Sequence, residues 1–246
     1  MYVFLKKIIR KSIPKNFLFK NEDFFRQFYG FFFSGKAKEC NICDKKLSQF
    51  VINERNEFMC PNCGSLSRDR RLWQLLEPKI GKSDCKILDF SPSRCLARKL
   101  KKINLKNYIS TDFSGEFIAD FQYDITHLEI ENNTFDVICC YHILEHIEED
   151  KKAMTEIFRV LKPNGKIFVQ TPFKEGETYE NPLITKPQER LKHFGQDDHV
   201  RIYSENNLQK RLENAGFQVE INHFVEQKNN YFGFEEKETV FVISKT

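Results

Sequence analysis

Two pairs of cysteines stand at the spacing of a metal knuckle, Cys40-Asn41-Ile42-Cys43 and Cys60-Pro61-Asn62-Cys63-Gly64. Four thiolates gathered by a hairpin meet the tetrahedral demand of Zn²⁺. A full thiolate set leaves no open position, so the chemistry implied is a structural zinc ribbon rather than a catalytic metal. Pro61 and Gly64 favour a tight turn whose backbone amides can bond the sulfurs. The competing reading is four unrelated buried cysteines, or a redox pair. Cys85, Cys95, Cys139 and Cys140 lack such spacing and read as small core residues. A second group, His142-Ile143-Leu144-Glu145-His146, puts two imidazoles and a carboxylate at one helical start. A third fills 177–203, where Glu180, Arg190, His193, Gln196, Asp197, Asp198, His199, Arg201 and Tyr203 crowd a loop-like stretch. Long polar loops in compact enzymes are more often functional than idle. Histidine is the usual general base near neutral pH. His199 beside Asp198 is therefore the first choice for that role and His193 the second, with Arg201 as a substrate anchor. A solvated, salt-bridged lid is the competing reading.

The elements that must hold these residues alternate between strand and helix. The run over 135–141 (FDVICCY) is short, apolar and rich in Val, Ile and Cys, which suits a strand buried on both faces of a parallel sheet. Apolar residues then recur at helical spacing over 148–161, at Ala153, Ile157, Phe158, Val160 and Leu161. Lys162-Pro163-Asn164-Gly165 stops that helix, and 166–170 is the next strand. Upstream, 86–90 reads as a strand, 93–103 as a helix, 108–113 as a second strand and 118–125 as a third. Downstream, 204–215 is a helix closed by Gly216, and 217–224 and 239–244 are the last strands. The stretch 66–80 is an amphipathic helix. Its Arg68, Arg70 and Arg71 read as contacts to a phosphate or acidic substrate, or as a solvated face.

The polar residues inside this pattern carry a resemblance that periodicity does not supply. FDVI, LEHIEED, RVLKPNG and the closing Thr171-Pro172 resemble the class I S-adenosylmethionine (SAM) dependent methyltransferases. CPNCGSLSRDRRLW, ILDFSPS and FGQDDHVRIY resemble a subgroup of them, so that the likeness spans about residues 36–246. It implies a Rossmann-like, doubly wound α/β domain with a seven-stranded sheet, preceded by the zinc ribbon. The division expected is 1–35 as a basic aromatic segment, 36–80 as ribbon and connecting helix, and 81–246 as the SAM-dependent domain. The resemblance also implies the cofactor site. Asp89 and Ser91 line the turn after the first strand, and Asp112, with Phe113 beside it, takes the ribose hydroxyls. Asp124 and Ile125 hold the adenine, while Tyr141 and His142 border the sulfonium end. One departure matters. The first turn, Asp89-Phe90-Ser91-Pro92-Ser93-Arg94, has no glycine where the family is Gly-rich, so Cβ atoms crowd the ligand and positive φ is unfavourable. The turn either takes a different path or has lost SAM. His142, Glu145 and His146 further resemble the ExxEH metal cluster of certain O-methyltransferases, with His in place of the first Glu. The ordinary reading is that Glu145 and His146 brace the helix.

The formal charge of +4 does not by itself argue for nucleic acid. It is uneven: 1–38 carries nine Lys/Arg against Glu22 and Asp23, leaving the remainder at −3. In 1–35, Tyr2, Phe4, Phe17, Phe19, Phe24, Phe25, Phe28, Tyr29 and Phe31 to Phe33 alternate with basic residues. That pattern suits packing onto the catalytic domain, an interfacial membrane helix, or stacking on single-stranded nucleic acid. No apolar run approaches the roughly 20 residues of a membrane span, and the N-terminus lacks a signal-peptide core. Eight cysteines without an export signal point to a reducing compartment, hence a cytoplasmic enzyme, with peripheral contact at the inner membrane face as a further reading. Three functions follow. The first is O-methylation of a small-molecule or glycan-like acceptor. The second is an rRNA or tRNA methyltransferase, disfavoured by the slightly acidic catalytic part and the lack of an Asn-Pro-Pro-Tyr type motif. The third is a non-catalytic scaffold of the same fold.

Overall fold

The computed structural model describes residues 21–80, 84–104, 106–115, 117–226 and 229–245. Residues 1–20, and with them Tyr2, Phe4, Phe17 and Phe19 of the aromatic segment, lie outside that set. The chain forms two compact units, Met1–Pro78 with Val225–Lys237, and Lys79–Phe224 with Glu238–Thr246. The N-terminal unit is therefore discontinuous in sequence, completed by an excursion between the last two strands.

In the first unit, helix α1 (Glu22–Phe31) leads into two small antiparallel hairpins. Strands β1 (Ser34–Cys40) and β2 (Lys45–Leu47) form one, β3 (Val51–Ile52) and β4 (Phe58–Met59) the other. On α1 the aromatic residues Phe24, Phe28 and Phe31 are exposed, as is Phe32 just after it. Helix α2 (Ser67–Ile80) follows the second knuckle. Arg70 and Arg71 are neither solvated nor free for a phosphate, contrary to both sequence readings, while Arg68 stays partly exposed and pairs with Glu57 at 2.7 Å. Arg70 is wholly buried, giving Nε to Phe232 O at 2.7 Å, Nη1 to Ser65 O at 2.6 Å and Nη2 to Phe58 O at 3.1 Å and to Gly233 O. Its guanidinium lies 4.2 Å from the Phe50 ring centroid. Arg71 pairs with Glu226 and stacks 3.8 Å over Phe234. Lys38 Nζ reaches Asn230 O at 2.9 Å, and Tyr231 Oη donates to Glu39 at 3.0 Å. These bonds fasten the 225–237 excursion to the ribbon. Gly233 has φ of 64°, and a Cβ there would collide with the Phe50 ring, so this turn needs glycine.

The second unit is built on a sheet of order β11-β12-β8-β7-β5-β6. Strands β5 (Ile87–Phe90), β6 (Tyr108–Thr111), β7 (Phe135–Tyr141) and β8 (Leu161–Gln170) are parallel. Strand β12 (Lys237–Ser244) runs antiparallel to β8, and β11 (Gln218–Val225) lies beyond it. Helix α3 (Arg94–Asn104) follows β5, and α4 (Asp150–Val160) joins β7 to β8 after a 3₁₀ turn, Leu144–His146. Helix α6 (Glu205–Asn214) precedes β11, its start capped by the Ser204 side chain accepting from Asn207 N. Leu88, Phe135, Ile138, Ile157, Val160, Ile167, Leu208 and Phe241 are among the residues of the resulting core. Strand β7 has the predicted bounds and buries both faces, as a central parallel strand should.

Three expectations change. The third strand predicted over 118–125 is reduced to a single parallel bridge, Thr111 to Phe121, leaving six strands in this sheet among the described residues. Asp120 turns its carboxylate back to Ser110 Oγ at 2.7 Å and to Lys101 at 2.5 Å, and Asp120 N and Phe121 N share Ser110 O. These bonds bend the chain at the sheet edge. The stretch 177–203 is not simply loop-like. It holds β9 (Tyr179–Glu180) paired with β10 (Arg201–Ile202), and between them helix α5 (Pro187–Phe194). Pro187 suits the first helical position, and Gly195, at φ of 86°, closes the last turn on Leu191 O. Strand β8 begins at Leu161 rather than 166, because Leu161 pairs with Phe135 before the Asn164-Gly165 turn interrupts the ladder. Among the described residues no helix is long and apolar enough to cross a membrane.

Candidate functional site

In the second unit the chain runs from β5 to β6 on one side, then returns to β7 and β8 on the other. The crevice at the carboxyl ends of β5 and β7 is therefore a topological switch point, where open α/β sheets bind ligands. The residue immediately after each of these strands is in the left-handed region, Ser91 at φ of 46° and His142 at φ of 55°. Neither is glycine. Such conformations cost of order 1–3 kcal/mol each and cluster at ligand sites. Ser91 thus adopts the backbone that a glycine would give more cheaply, held by its N–H on Thr111 O at 2.7 Å. His142 is held likewise by its N–H on Gln170 O, also at 2.7 Å. The glycine-less turn thus carries its positive φ on a serine.

Ser91 Oγ donates to Asp112 Oδ1 at 2.7 Å, while Asp112 Oδ2 accepts from Ser114 Oγ at 2.9 Å and Phe117 N at 3.2 Å. Burial works to raise the Asp112 pKa, but the bonds from Ser91, Phe117, Ser114 and Gly115 outweigh it and hold the carboxyl below its ordinary value. Asp89, buried, instead accepts the Tyr108 hydroxyl at 2.9 Å. Phe113 is exposed beside Asp112. Asp124 is exposed and accepts Thr126 N and Thr126 Oγ, both at 2.8 Å, which is the work of a turn cap. Ile125 is buried in the core. Tyr141 ends β7, paired with Gln170 of β8.

Beyond Tyr141, buried polar atoms collect. His142 Nε2, Glu145 Oε2, Gln170 Oε1, Thr171 Oγ1 and both ring nitrogens of His199 have no well-formed hydrogen-bond partner. Glu145 is 1% exposed and His199 2%. The His146 and His199 rings meet edge to face at 4.6 Å, and ligand atoms of Glu145, His146 and His199 all lie within 4.8 Å of one another. His142 Nδ1 sits 3.2 Å from Glu145 Oε1. Burial pushes the His199 pKa below its ordinary value, with the Glu145 charge opposing. Burial raises Glu145, yet the His142 bond and the neighbouring imidazole charges more than compensate, so its pKa falls below the usual carboxylate range.

The structure corrects the catalytic trio. Asp198 does not turn to His199; its Oδ2 lies 3.1 Å from His146 Nδ1. His193 is exposed on the last turn of α5, where its Nδ1 meets Tyr179 Oη at 2.7 Å, apart from that cluster. Arg201 is not free to anchor a substrate. It is 6% exposed, bonding Leu144 O at 3.2 Å, Glu148 O at 2.9 Å and Ile147 O, with Nε on Glu180 at 2.9 Å. It caps the free carbonyls of the 3₁₀ turn and fixes that turn to β10. Val200 N–H on Glu145 O at 2.9 Å adds a second tie. Sequence reasoning missed this clamp and the burial of Glu145, because both depend on how β10 crosses the turn.

In the first unit the four cysteines come together. Cys40 and Cys63 sulfurs are 3.6 Å apart, and Cys43 and Cys60 sulfurs 3.8 Å. A tetrahedron with Zn–S bonds of about 2.3 Å has edges of about 3.8 Å. The knuckles are alike: Asp44 N bonds Cys40 O at 2.8 Å and Gly64 N bonds Cys60 O at 2.9 Å, each from a residue with positive φ. Ser65 Oγ lies 3.3 Å from both Cys40 and Cys63, and Asn62 Nδ2 donates to Cys43 Sγ at 3.3 Å. Bonding with Cys43 lowers Cys40, while bonding with Cys40 raises Cys60 and Cys63, so the thiols cannot all ionise unaided.

A mostly parallel sheet of this order, with its crevice at the carboxyl ends of β5 and β7, defines a Rossmann-like fold of the class I methyltransferase type. The chain belongs to the methyltransferase domain family, whose model matches residues 63–221. A probable S-adenosylmethionine-dependent methyltransferase of Mycolicibacterium smegmatis is 29% identical over 102 residues, 39% of this chain and 34% of that protein. The chain spans about a third of the length of two of the curated relatives it matches. A SAM dependent methyltransferase from Archaeoglobus fulgidus shares the fold at TM-score 0.51 and 15% identity, covering 74% of this chain and 95% of that one. The [4+2]-cyclase SpnF does so at TM-score 0.55 and 16% identity, covering 80% and 86%. The fold alone therefore does not set the reaction.

Proposed function

We propose that the protein is a SAM-dependent methyltransferase that methylates a hydroxyl of a small or saccharide-like acceptor, with a structural Zn²⁺ in the four-cysteine cluster. Family membership supports the cofactor. The observation that carries the acceptor chemistry is the buried imidazole and carboxylate set, His142, Glu145 and His199, whose free polar atoms stand beside the switch point. A hydroxyl must lose its proton to attack, and this set has the chemistry to help it do so.

When bound, SAM supplies a sulfonium methyl: the C–S bond breaks as O–C forms, sulfur keeps the electron pair, and the acceptor proton departs. Asp112 fits the ribose. Each of its oxygens already accepts a hydroxyl, from Ser91 and from Ser114, the same donor type as a vicinal diol. Ser91, in its left-handed conformation, keeps the turn close without a glycine. Asp89 serves as a brace on Tyr108, and Tyr141 with His142 borders the sulfonium end. The exposed Asp124, whose Oδ1 holds Thr126, has Oδ2 to offer the adenine amino group.

Calorimetric titration of SAM and S-adenosylhomocysteine into the zinc-loaded protein tests the first half. Micromolar binding lost in Asp112→Ala is expected. No binding of either ligand would leave a scaffold. Methyl transfer from labelled SAM to hydroxylated small molecules, against rRNA and tRNA, tests the second. Label in RNA alone would overturn the small-acceptor reading.

A further inference from the structure

We propose that Glu145, His146 and His199 bind a divalent cation of the first transition row and leave coordination positions open beside the switch point. The proposal rests on the methyltransferase reading for its use but not for its chemistry. Three candidate ligand atoms converge within 4.8 Å of one another. Two of the three side chains are almost wholly buried, Glu145 at 1% and His199 at 2%, and Glu145 Oε2 and the His199 ring nitrogens have no well-formed hydrogen-bond partner. A buried polar group left so costs about 1–3 kcal/mol, so a fold that keeps three such atoms together is built for something to fill the space. Waters are the ordinary filler. Two further contacts favour a cation. Asp198 Oδ2 stands 3.1 Å from His146 Nδ1, the carboxylate–histidine arrangement that fixes a ligating ring and leaves Nε2 for the metal. His142 Nδ1 stands 3.2 Å from Glu145 Oε1, leaving Oε2 as the ligating oxygen.

Two imidazoles and one carboxylate suit Zn²⁺, Fe²⁺, Mn²⁺ or Co²⁺ rather than Ca²⁺ or Mg²⁺, and three protein ligands leave positions for water or substrate. Ligands about 2.1 Å from one ion lie roughly 3.0–3.4 Å apart, inside the 4.8 Å within which the three ligand atoms already stand. Arg201 fixes the 3₁₀ turn from behind, while His146 remains half-buried. An acceptor hydroxyl on an open position releases its proton to solvent, and its oxygen forms the O–C bond as the methyl leaves sulfur with the electron pair on sulfur.

The test titrates Mn²⁺ into the whole chain brought to one equivalent of zinc, so that only the four-cysteine cluster is filled, without SAM, following free Mn²⁺ by electron paramagnetic resonance. About one equivalent is expected to bind. Glu145→Gln and His199→Gln abolish that binding, and Asp198→Asn weakens it roughly tenfold. No bound equivalent, or equal binding in the variants, overturns the proposal. Pulsed resonance on Mn²⁺ bound to the unaltered protein needs no variant to fold: two imidazole nitrogens coupled to the ion support the site, and none overturns it. SAM titration of the same samples keeps the two readings apart, because cation binding without SAM binding removes the methyltransferase reading and leaves the site standing.

Discussion

The four-cysteine cluster and the Glu145–His146–His199 cluster solve opposite problems with the same raw material of buried ligand atoms. In the first, two sulfur pairs stand 3.6 and 3.8 Å apart, and Ser65 and Asn62 add contacts to three of the four sulfurs. In the second, Glu145 Oε2 and the ring nitrogens of His199 have no well-formed hydrogen-bond partner. A closed set with its own supporting contacts is suited to holding a fold together. An incompletely satisfied set is suited to receiving something from outside, and its cost is carried by the rigid elements around it.

The comparison breaks most sharply at Cys60. Cys60→Ser should abolish zinc by elemental analysis and remove the cooperative unfolding of the first unit, since apparent binding of structural zinc is worth about 10–16 kcal/mol. If the variant retains a full equivalent and its thermal transition, the closed-site reading is wrong. Next in size is Arg70→Met, which strands four buried carbonyls and should destabilise the first unit by about 3–5 kcal/mol in urea melts. An unchanged midpoint would mean that the excursion is not held by this guanidinium. Asp112→Asn should weaken SAM by roughly tenfold or more, about 1.5–3 kcal/mol for bonds to a charged acceptor. The pH dependence has a definite sign. Because the folded Asp112 pKa lies below its unfolded value of about 3.9, its contribution to stability is whole above that value and is lost as pH falls through the lower folded one. Melting between pH 5 and 8 should therefore show no loss traceable to Asp112, whereas a wild-type loss absent from the Asn variant in that range would contradict it. The smallest effect is expected at Ser91→Gly, where relief of the left-handed strain, about 1 kcal/mol, is offset by loss of the bond to Asp112. A large gain or loss in melting temperature would show that one of the two dominates.

What could be read beforehand followed from local signals. The alternation around 135–141 and the Cys-x-x-Cys spacing are complete within a few residues, so strand β7 and the sulfur cluster were legible. Helix α5 was not, because a polar segment with Pro187 and Gly195 at its ends has no strong apolar face. The Asp198–His146 contact was not either. Adjacency in sequence suggested His199, but the chain bends over 195–198 and carries the Asp198 carboxylate to His146 instead. Arg70 looked like a surface charge until the carbonyls of Phe232 and Gly233 arrived from the far end of the chain. The glycine-less turn was ambiguous because sequence gives the expense of positive φ, not whether the surroundings enforce it.

That last separation has a consequence for synthesis. Arg70 bonds residues 162 and 163 positions later. At about 5–20 residues per second, a ribosome needs roughly 8–30 s to deliver them. During that interval the nascent ribbon has its cysteines and its arginine but not the acceptors that bury the arginine. Early metal capture would give the waiting segment a partial structure, and the final lock closes only as the last strands emerge.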